Sequence, residues 1–206
     1  MPNPATFRSS SGFSLVELII SMIITVIILG VAVTIFSRAL STRTRETSRT
    51  DAITSAQAAL NIMSREIGNA GFGLADNGVV TDSSSSVLHI RSNFVNTGVN
   101  RNTTSDPGED VVFYLDGTGG NQSVVRHDNN TNETSGIINR ISRVEFAYQN
   151  FVSTGTPPVG PGPTTGKITI TLTVLLPNVV GQPAGQTITV TSDVTLRNSA
   201  YMRGQY

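Results

Sequence analysis

The feature that most constrains this chain is a long apolar run near its N-terminus that contains a single carboxylate. Residues 13–36 are almost entirely apolar, and Glu17 is the only charged side chain between Arg8 and Arg38. A helix needs about 20 mainly apolar residues to cross a bilayer, so this run is long enough. A charged side chain within such a helix costs roughly 2.5 to 3.5 kcal/mol on insertion scales. Glu17 therefore needs a partner that compensates its charge.

A cut in the chain after Gly12 would supply that partner. It would create a cationic α-amino group on Phe13, about one helical turn from Glu17. In an assembly, the carboxylate of one copy could neutralise the amine of its neighbour, which would remove the cost of both charges. An ordinary membrane anchor with a chance glutamate is the alternative, and it leaves Glu17 unexplained.

The segment around this carboxylate closely resembles the type III signal peptide of type IV prepilins and type II secretion pseudopilins, through Gly12-Phe13-Ser14-Leu15-Val16-Glu17. The resemblance implies that prepilin peptidase cuts after Gly12 and N-methylates Phe13. It also places the family's assembly glutamate at Glu17. The partners that it implies are prepilin peptidase, other pilin or pseudopilin subunits and the inner-membrane assembly platform.

The apolar run predicts the first half of one long helix. Beyond it, a stripe of apolar residues at spacings of three and four continues the helical pattern through Ile53, Ala56, Leu60, Met63 and Ile67. Glycines end this pattern, at residues 68 and 71. The predicted organisation is a cleaved leader over 1–12, a membrane and assembly segment over 13–36, an amphipathic helical half over 37–70 and a periplasmic β-sheet domain over 71–206.

After residue 78 the apolar pattern changes to a period of two, which is typical of strands. Strand candidates lie at 87–90, 111–115, 124–125, 144–148, 167–176 and 188–196. Turn-forming glycine, proline, serine and asparagine separate them. The predicted fold class is α+β, with a long N-terminal helix and an antiparallel sheet packed on its C-terminal half. This order of helix and sheet resembles that of a pilin.

The location of the chain is predicted from the same N-terminal features. The apolar run is longer than the h-region of a secretory signal peptide, and no small-x-small cleavage site follows it promptly. The resemblance implies a single-pass protein of the bacterial inner membrane with a periplasmic domain, later carried into a pilus or pseudopilus at the cell surface. The positive-inside rule points the other way, because four arginines follow the run at residues 38, 43, 45 and 49. The predicted topology follows the family.

The composition of the chain argues against disulfides, nucleic-acid binding and catalysis. The chain has a formal net charge of +0 and no cysteine, which excludes disulfides and thiol nucleophiles. The sequence contains no basic stripe interleaved with aromatic residues, so it does not indicate nucleic-acid binding. The histidines are His89, predicted as a half-exposed strand residue, and His127, predicted at a loop edge. An enzyme would require His127, Asp128 and a serine to cluster, so the sequence predicts no catalytic residues and no enzyme.

A polar segment after the third strand candidate offers the best metal ligands. Asp128, Asn130 and Asn132 place oxygen side chains at alternate positions, as a calcium loop does. However, Glu133 replaces the glycine of such a loop, and Asn139 replaces its final glutamate. A solvated hairpin loop is the alternative. The sequence therefore predicts neither a cofactor nor a metal ion. If a metal were bound, these three residues would be the candidate ligands.

Two further segments refine the resemblance. Residues 65–73 and 194–198 look most like those of PilW-like minor pilins and J-type minor pseudopilins. The predicted function is a non-enzymatic minor pilin of PilW type that helps to prime the filament for adhesion, twitching motility or DNA uptake. A minor pseudopilin of a type II secretion system is the alternative within the family. A single-span anchored binding domain is the alternative outside it, and it requires no cleavage after Gly12.

Overall fold

A computed structural model of the chain describes residues 12–95, 103–117, 122–150, 160–179 and 183–204. Within these residues it contains two helices and seven strands. In chain order they are α1 (Leu15–Gly68), β1 (Val87–Arg91), β2 (Asp110–Asp116), β3 (Ser123–Asp128), β4 (Glu133–Asn139), β5 (Ile141–Gln149), β6 (Lys167–Leu175), β7 (Thr187–Thr195) and α2 (Ala200–Arg203). The chain divides into two units, Met1–Arg45 and Glu46–Tyr206, and α1 runs through the boundary between them.

The described part of the first unit is the N-terminal part of α1. Its apolar side chains are exposed along the whole predicted membrane segment, from Phe13 to Phe36. By length and composition, α1 is a helix that could cross a membrane. The predicted long N-terminal helix is therefore confirmed, and its apolar half has no partner among the residues of this unit that the structure describes.

The second unit buries the opposite end of α1. Ala56, Leu60, Met63 and Ile67 are at most 4% exposed, which confirms the predicted apolar stripe, and Ala59 joins them. Ile53, the first residue of that stripe, is only half-buried. Each fully buried side chain of leucine size contributes roughly 1.5 to 3 kcal/mol, so this face of α1 is a major source of stability.

Two antiparallel sheets pack with this face of α1 in one core. The first sheet has the order β1-β2-β3-β4, and the second has the order β5-β6-β7. Their inward residues include Phe113, Phe146 and Leu172, which are at most 1% exposed. The sheets meet where the Phe146 N–H donates to the Ser85 carbonyl at 2.8 Å and the Ile141 N–H donates to the Gln122 carbonyl at 2.9 Å. The predicted antiparallel α+β layout is confirmed, with two sheets instead of one.

Strand β4 was absent from the sequence prediction. It lies at the free edge of the first sheet, paired only with β3, and its residues Glu133 to Gly136 are exposed. An edge strand that buries almost no side chain lacks the alternation by which strands are recognised. The short helix α2 was likewise not predicted.

The helix is followed by a turn in which the backbone at Gly71, Gly78 and Arg91 is in close contact. Gly71 and Gly78 both have a positive φ, of 74° and 73°. The N–H of Gly71 donates to the Arg91 carbonyl at 2.8 Å, and the N–H of Arg91 donates to the Gly78 carbonyl at 2.7 Å. A Cβ on Gly78 would lie 2.2 Å from both the Arg91 oxygen and the Gly71 nitrogen. This approach of the post-helix turn to β1 therefore requires glycine.

The last described residues close the C-terminal end of α1. The N–H of Arg197 donates to the Gly68 carbonyl at 3.3 Å, and the Asn198 amide donates to the Ala70 carbonyl at 3.0 Å. The guanidinium of Arg203 donates to the Ala75 carbonyl. Carbonyls in the last turn of a helix have no partner within it, so the bond from Arg197 caps α1 at its last residue, Gly68. The other two bonds hold the turn that follows the helix.

We expect Gly78→Ala to destabilise the second unit by about 2 kcal/mol or more, because it combines a left-handed backbone with a steric clash. The measurement is the urea midpoint of the full chain in detergent, followed by tyrosine fluorescence. Gly136→Ala on β4 is the matched control, since a Cβ there meets nothing within 4 Å. Equal midpoints for the two variants would contradict the close approach at Gly78.

Candidate processing and assembly site

The residues on either side of the predicted cleavage point are exposed at the start of α1. Phe13 is 83% exposed, and a Cβ built on Gly12 meets nothing within 4 Å. Residues 12–14 precede the helix. The residues that the structure describes thus give no packing reason for a glycine at position 12. A requirement for it would have to come from something that binds this segment, as a peptidase does.

Glu17 lies in the first turn of α1, and the helix makes no use of its carboxylate. The carbonyl of Ser14 accepts the first helical hydrogen bond, from Leu18 at 3.1 Å. Ser14 and Glu17 therefore have the spacing of a capping box. Within the described part of the chain, however, the Glu17 side chain makes neither a capping hydrogen bond nor an ion pair. It is an exposed carboxylate with no partner among the described residues.

Hydroxyl groups within the apolar half are satisfied by the helix itself. Ser21 donates to the Leu18 carbonyl at 2.8 Å, Thr25 to the Ser21 carbonyl at 2.7 Å and Thr34 to the Val31 carbonyl at 2.7 Å. A polar group without a hydrogen bond is costly in an apolar medium, and these bonds remove that cost. Glu17 remains the one charged group of the segment without a partner among the described residues.

The candidate calcium ligands lie in the loop between β3 and β4. Asp128 is 5% exposed, and both of its oxygens accept backbone hydrogen bonds, from Gly108 at 2.6 Å and Asn130 at 3.0 Å. The Asn130 amide donates to the carbonyls of Thr104 and Asp106. Asn132 is exposed with a φ of 57°. Asp128 and Asn130 therefore hold this loop against residues 104–108, and the calcium site stays a prediction.

One histidine, His89, lies in different surroundings from those expected, whereas His127 lies at the end of β3 beside the loop, as predicted. His89 is 6% exposed, so the prediction that it is half-exposed is wrong. Its Nδ1 lies 2.9 Å from the Asp82 carboxylate, and its Nε2 lies 2.6 Å from Asp110 Oδ1. His127 is on β3, and its Nδ1 lies 2.8 Å from the Thr134 hydroxyl. The catalytic cluster of His127 with Asp128 and a serine is not formed among the described residues.

Sequence reasoning missed the buried polar cluster around Asp110. Its Oδ2 accepts a hydrogen bond from Arg91 Nε at 2.7 Å, and its Oδ1 accepts one from Asn129 at 2.6 Å. Because the ring of His89 also lies between two carboxylates, it can donate to both only as an imidazolium. The cluster joins β1, β2 and the β3–β4 loop. No spacing along the chain reveals it, since its members are far apart in sequence.

The charge of this cluster makes stability depend on pH. Burial raises the pKa of Asp110, but hydrogen bonds from Asn129, His89 and Arg91 outweigh burial and hold that pKa below its ordinary value of 3.8. A carboxyl with a depressed pKa in the folded state stabilises the fold above its unfolded pKa. That contribution is lost as the pH falls through the folded pKa.

We expect Asp110→Asn to lower the free energy of unfolding at pH 7 by about 1.5 to 3 kcal/mol, the range for hydrogen bonds to charged groups. The variant should also lose less stability than the unmodified chain when the pH is taken below about 4. Urea denaturation of the full chain in detergent across this range measures both effects. Asp116→Asn, an exposed carboxylate at the other end of β2, is the control. Parallel pH profiles for Asp110→Asn and the unmodified chain would contradict the assignment.

Comparison with known proteins bears on the N-terminal site. Residues 7–33 match the family model of the prokaryotic N-terminal methylation motif. No curated protein and no solved structure matched the chain. The match contains Gly12, Phe13 and Glu17 and most of the apolar helix. Together with the long N-terminal helix and the antiparallel sheets, it supports a pilin-like or pseudopilin-like protein anchored through its N-terminal helix.

Proposed function

We propose that this chain is a non-enzymatic minor pilin of PilW type, cut after Gly12 and incorporated into a type IV pilus or priming its assembly. The observation that carries the proposal is Glu17, an exposed carboxylate in the first turn of an apolar helix that matches the methylation motif. It has no partner among the described residues. The motif suggests a structural protein, and the described histidines are engaged with Asp82, Asp110 and Thr134.

The first stage of the proposed function is storage in the inner membrane. Lipid tails would surround the apolar helix, whose exposed side chains run from Phe13 to Phe36. The hydroxyls within it already bond to their own helix. The second unit would then lie in the periplasm, and prepilin peptidase would act at the exposed Gly12–Phe13 bond.

The second stage is transfer from lipid to a bundle of helices from other subunits, driven by the inner-membrane assembly platform. Both surroundings are apolar, so the transfer changes little for most of the helix. The exception is Glu17, because an unpaired charge is costly in either medium. A neighbour's methylated Phe13 amine would neutralise it only at one stagger of the two helices. Glu17 therefore supplies the register of assembly.

A minor pseudopilin of a type II secretion system remains the second candidate. The motif supports it equally, because cleavage, methylation and the glutamate serve both machines. The two candidates differ in the assembly that the subunit joins, a type IV pilus or a type II secretion pseudopilus. The N-terminal site is common to both and does not distinguish them. A single-span anchored binding domain is the third candidate, and it would retain residues 1–12 and tolerate loss of Glu17.

We expect the protein isolated from its native membrane to begin at Phe13 with one added methyl group. Intact mass and the N-terminal peptide, read by mass spectrometry, give the result. Gly12→Val should retain the full leader, and the open space at this position means that the change does not disturb the fold. Gly30→Val, another glycine with open space around it, should be processed normally. An intact Met1 terminus in cells with an active peptidase would contradict cleavage after Gly12. The single-span anchored binding domain would then be the remaining candidate.

We expect Glu17→Ala and Glu17→Val to be cleaved normally but to be absent from filaments. The reason is that the neighbour's amine loses its counter-charge at the correct stagger. The measurement compares the amount of each variant in sheared filaments with the amount in the membrane, by immunoblot. Glu46→Ala, an exposed carboxylate further along the same helix, is the control and should assemble. Filaments that contain the Glu17 variants at the usual level would refute the pairing role.

A further inference from the structure

A groove of about 390 Å³ lies in the second unit, between the last turns of α1 and the first sheet. The helix side presents Ile62 and Arg65, and the sheet side presents Phe94, Val111 and Arg126. Neither the predicted membrane segment of α1, residues 13–36, nor the polar cluster around Asp110 lines it. The proposed function makes no use of this groove.

Two exposed apolar side chains of the second unit, Ile62 and Phe94, line this groove, and two more lie next to Phe94, Phe72 by stacking and Val95 in sequence. Among its described residues, the large hydrophobic side chains that are clearly exposed are Ile62 at 47%, Phe72 at 51%, Phe94 at 50% and Val95 at 42%. Phe72 and Phe94 stack with ring centroids 5.6 Å apart. Single exposed hydrophobic residues are ordinary on a protein surface, but a contiguous group is typical of an interaction site.

A buried carboxylate fixes the aromatic part of this patch. Glu109 is 1% exposed, and its Oε1 accepts the N–H groups of Phe94 at 2.7 Å and Val95 at 2.9 Å. Its Oε2 accepts the N–H of Asp106 at 3.1 Å. Burying a carboxylate is expensive, and these bonds compensate it. The fold thus uses a buried charge to hold two exposed apolar residues in place, which pre-organises them for contact with a partner.

The charges at the groove favour a partner that carries a carboxylate. Arg126 Nε donates to the Glu66 carboxylate at 2.8 Å, so these two residues largely neutralise each other. Arg65 is exposed and has no hydrogen bond or ion pair among the described residues. Arg126 Nη1 also lies 3.9 Å from Asp128 Oδ2, so Arg126 has a carboxylate on either side. Arg65, beside Ile62 and Phe94, is the lining cation that has no ion pair among the described residues.

We infer that this groove binds a segment of another protein subunit that presents a large apolar or aromatic side chain next to an aspartate or glutamate. The apolar side chain would pack against Ile62 and Phe94, and the carboxylate would pair with Arg65. An arginine offers a carboxylate two parallel N–H donors, so the pair also fixes orientation. The inference does not depend on cleavage after Gly12, and it can fail or hold separately from the proposed function.

The test uses two peptide probes that differ only in charge, acetyl-Leu-Phe-Asp-amide and acetyl-Leu-Phe-Asn-amide. Each is titrated into the isotope-labelled full chain in detergent micelles, and NMR follows the Ile62 and Val111 methyl groups and the Ser92 amide. We expect saturable shifts at the groove, with the aspartate probe binding about tenfold more tightly than the asparagine probe. Arg65→Gln should abolish this difference, and Phe94→Ser should weaken both probes.

Arg143→Gln is the matched control, because Arg143 is an exposed arginine on β5 that does not line the groove. It should leave both affinities unchanged. Since Arg65 and Phe94 are exposed, their variants should keep the remaining spectrum, which verifies that the fold is intact. Absence of groove shifts, equal affinity for the two probes, or the same loss from Arg143→Gln would each overturn the inference.

Discussion

The burial of one face of α1 by two sheets is the interaction on which the second unit depends. Ala56, Leu60, Met63 and Ile67 lie in the same core as inward side chains from both sheets. Neither sheet is large, and a small sheet becomes stable only when one of its faces is covered. The buried face of α1 lies against the inward faces of both sheets. Changes to this face would therefore affect the polar cluster and the groove together, because both rest on strands that α1 holds.

The same helix has to satisfy two opposite requirements along its length. Its C-terminal part is amphipathic and has a defined partner in its own chain, while its N-terminal part is apolar on all sides. A helix that is apolar all round is stable only within lipid or among other helices. Under the proposed function, Glu17, the only charge between residues 13 and 36, would distinguish specific association from general apolar contact.

The sequence predicted those features that repeat along the chain or match a short motif. The apolar run, the helical stripe and the alternation in β6 are patterns of this kind, and each appears in the structure. Strand β4 could not be predicted in the same way, because its edge position buries few side chains. The Asp110 cluster and the groove were missed for another reason. Both unite residues that are distant in sequence, such as Arg65 and Phe94, and only the fold brings them together.

The cap on the C-terminal end of α1 has a consequence for the order of folding. Arg197 bonds to Asn69, and Asn198 bonds to Ala70, across a sequence separation of 128 residues in each case. Contacts between such distant residues form late, since a long loop must be closed first. During synthesis, the apolar helix can enter the membrane long before its C-terminal end is sealed. These bonds cannot form until residues 197 and 198 have been synthesised, so the end of α1 stays uncapped while the chain is incomplete.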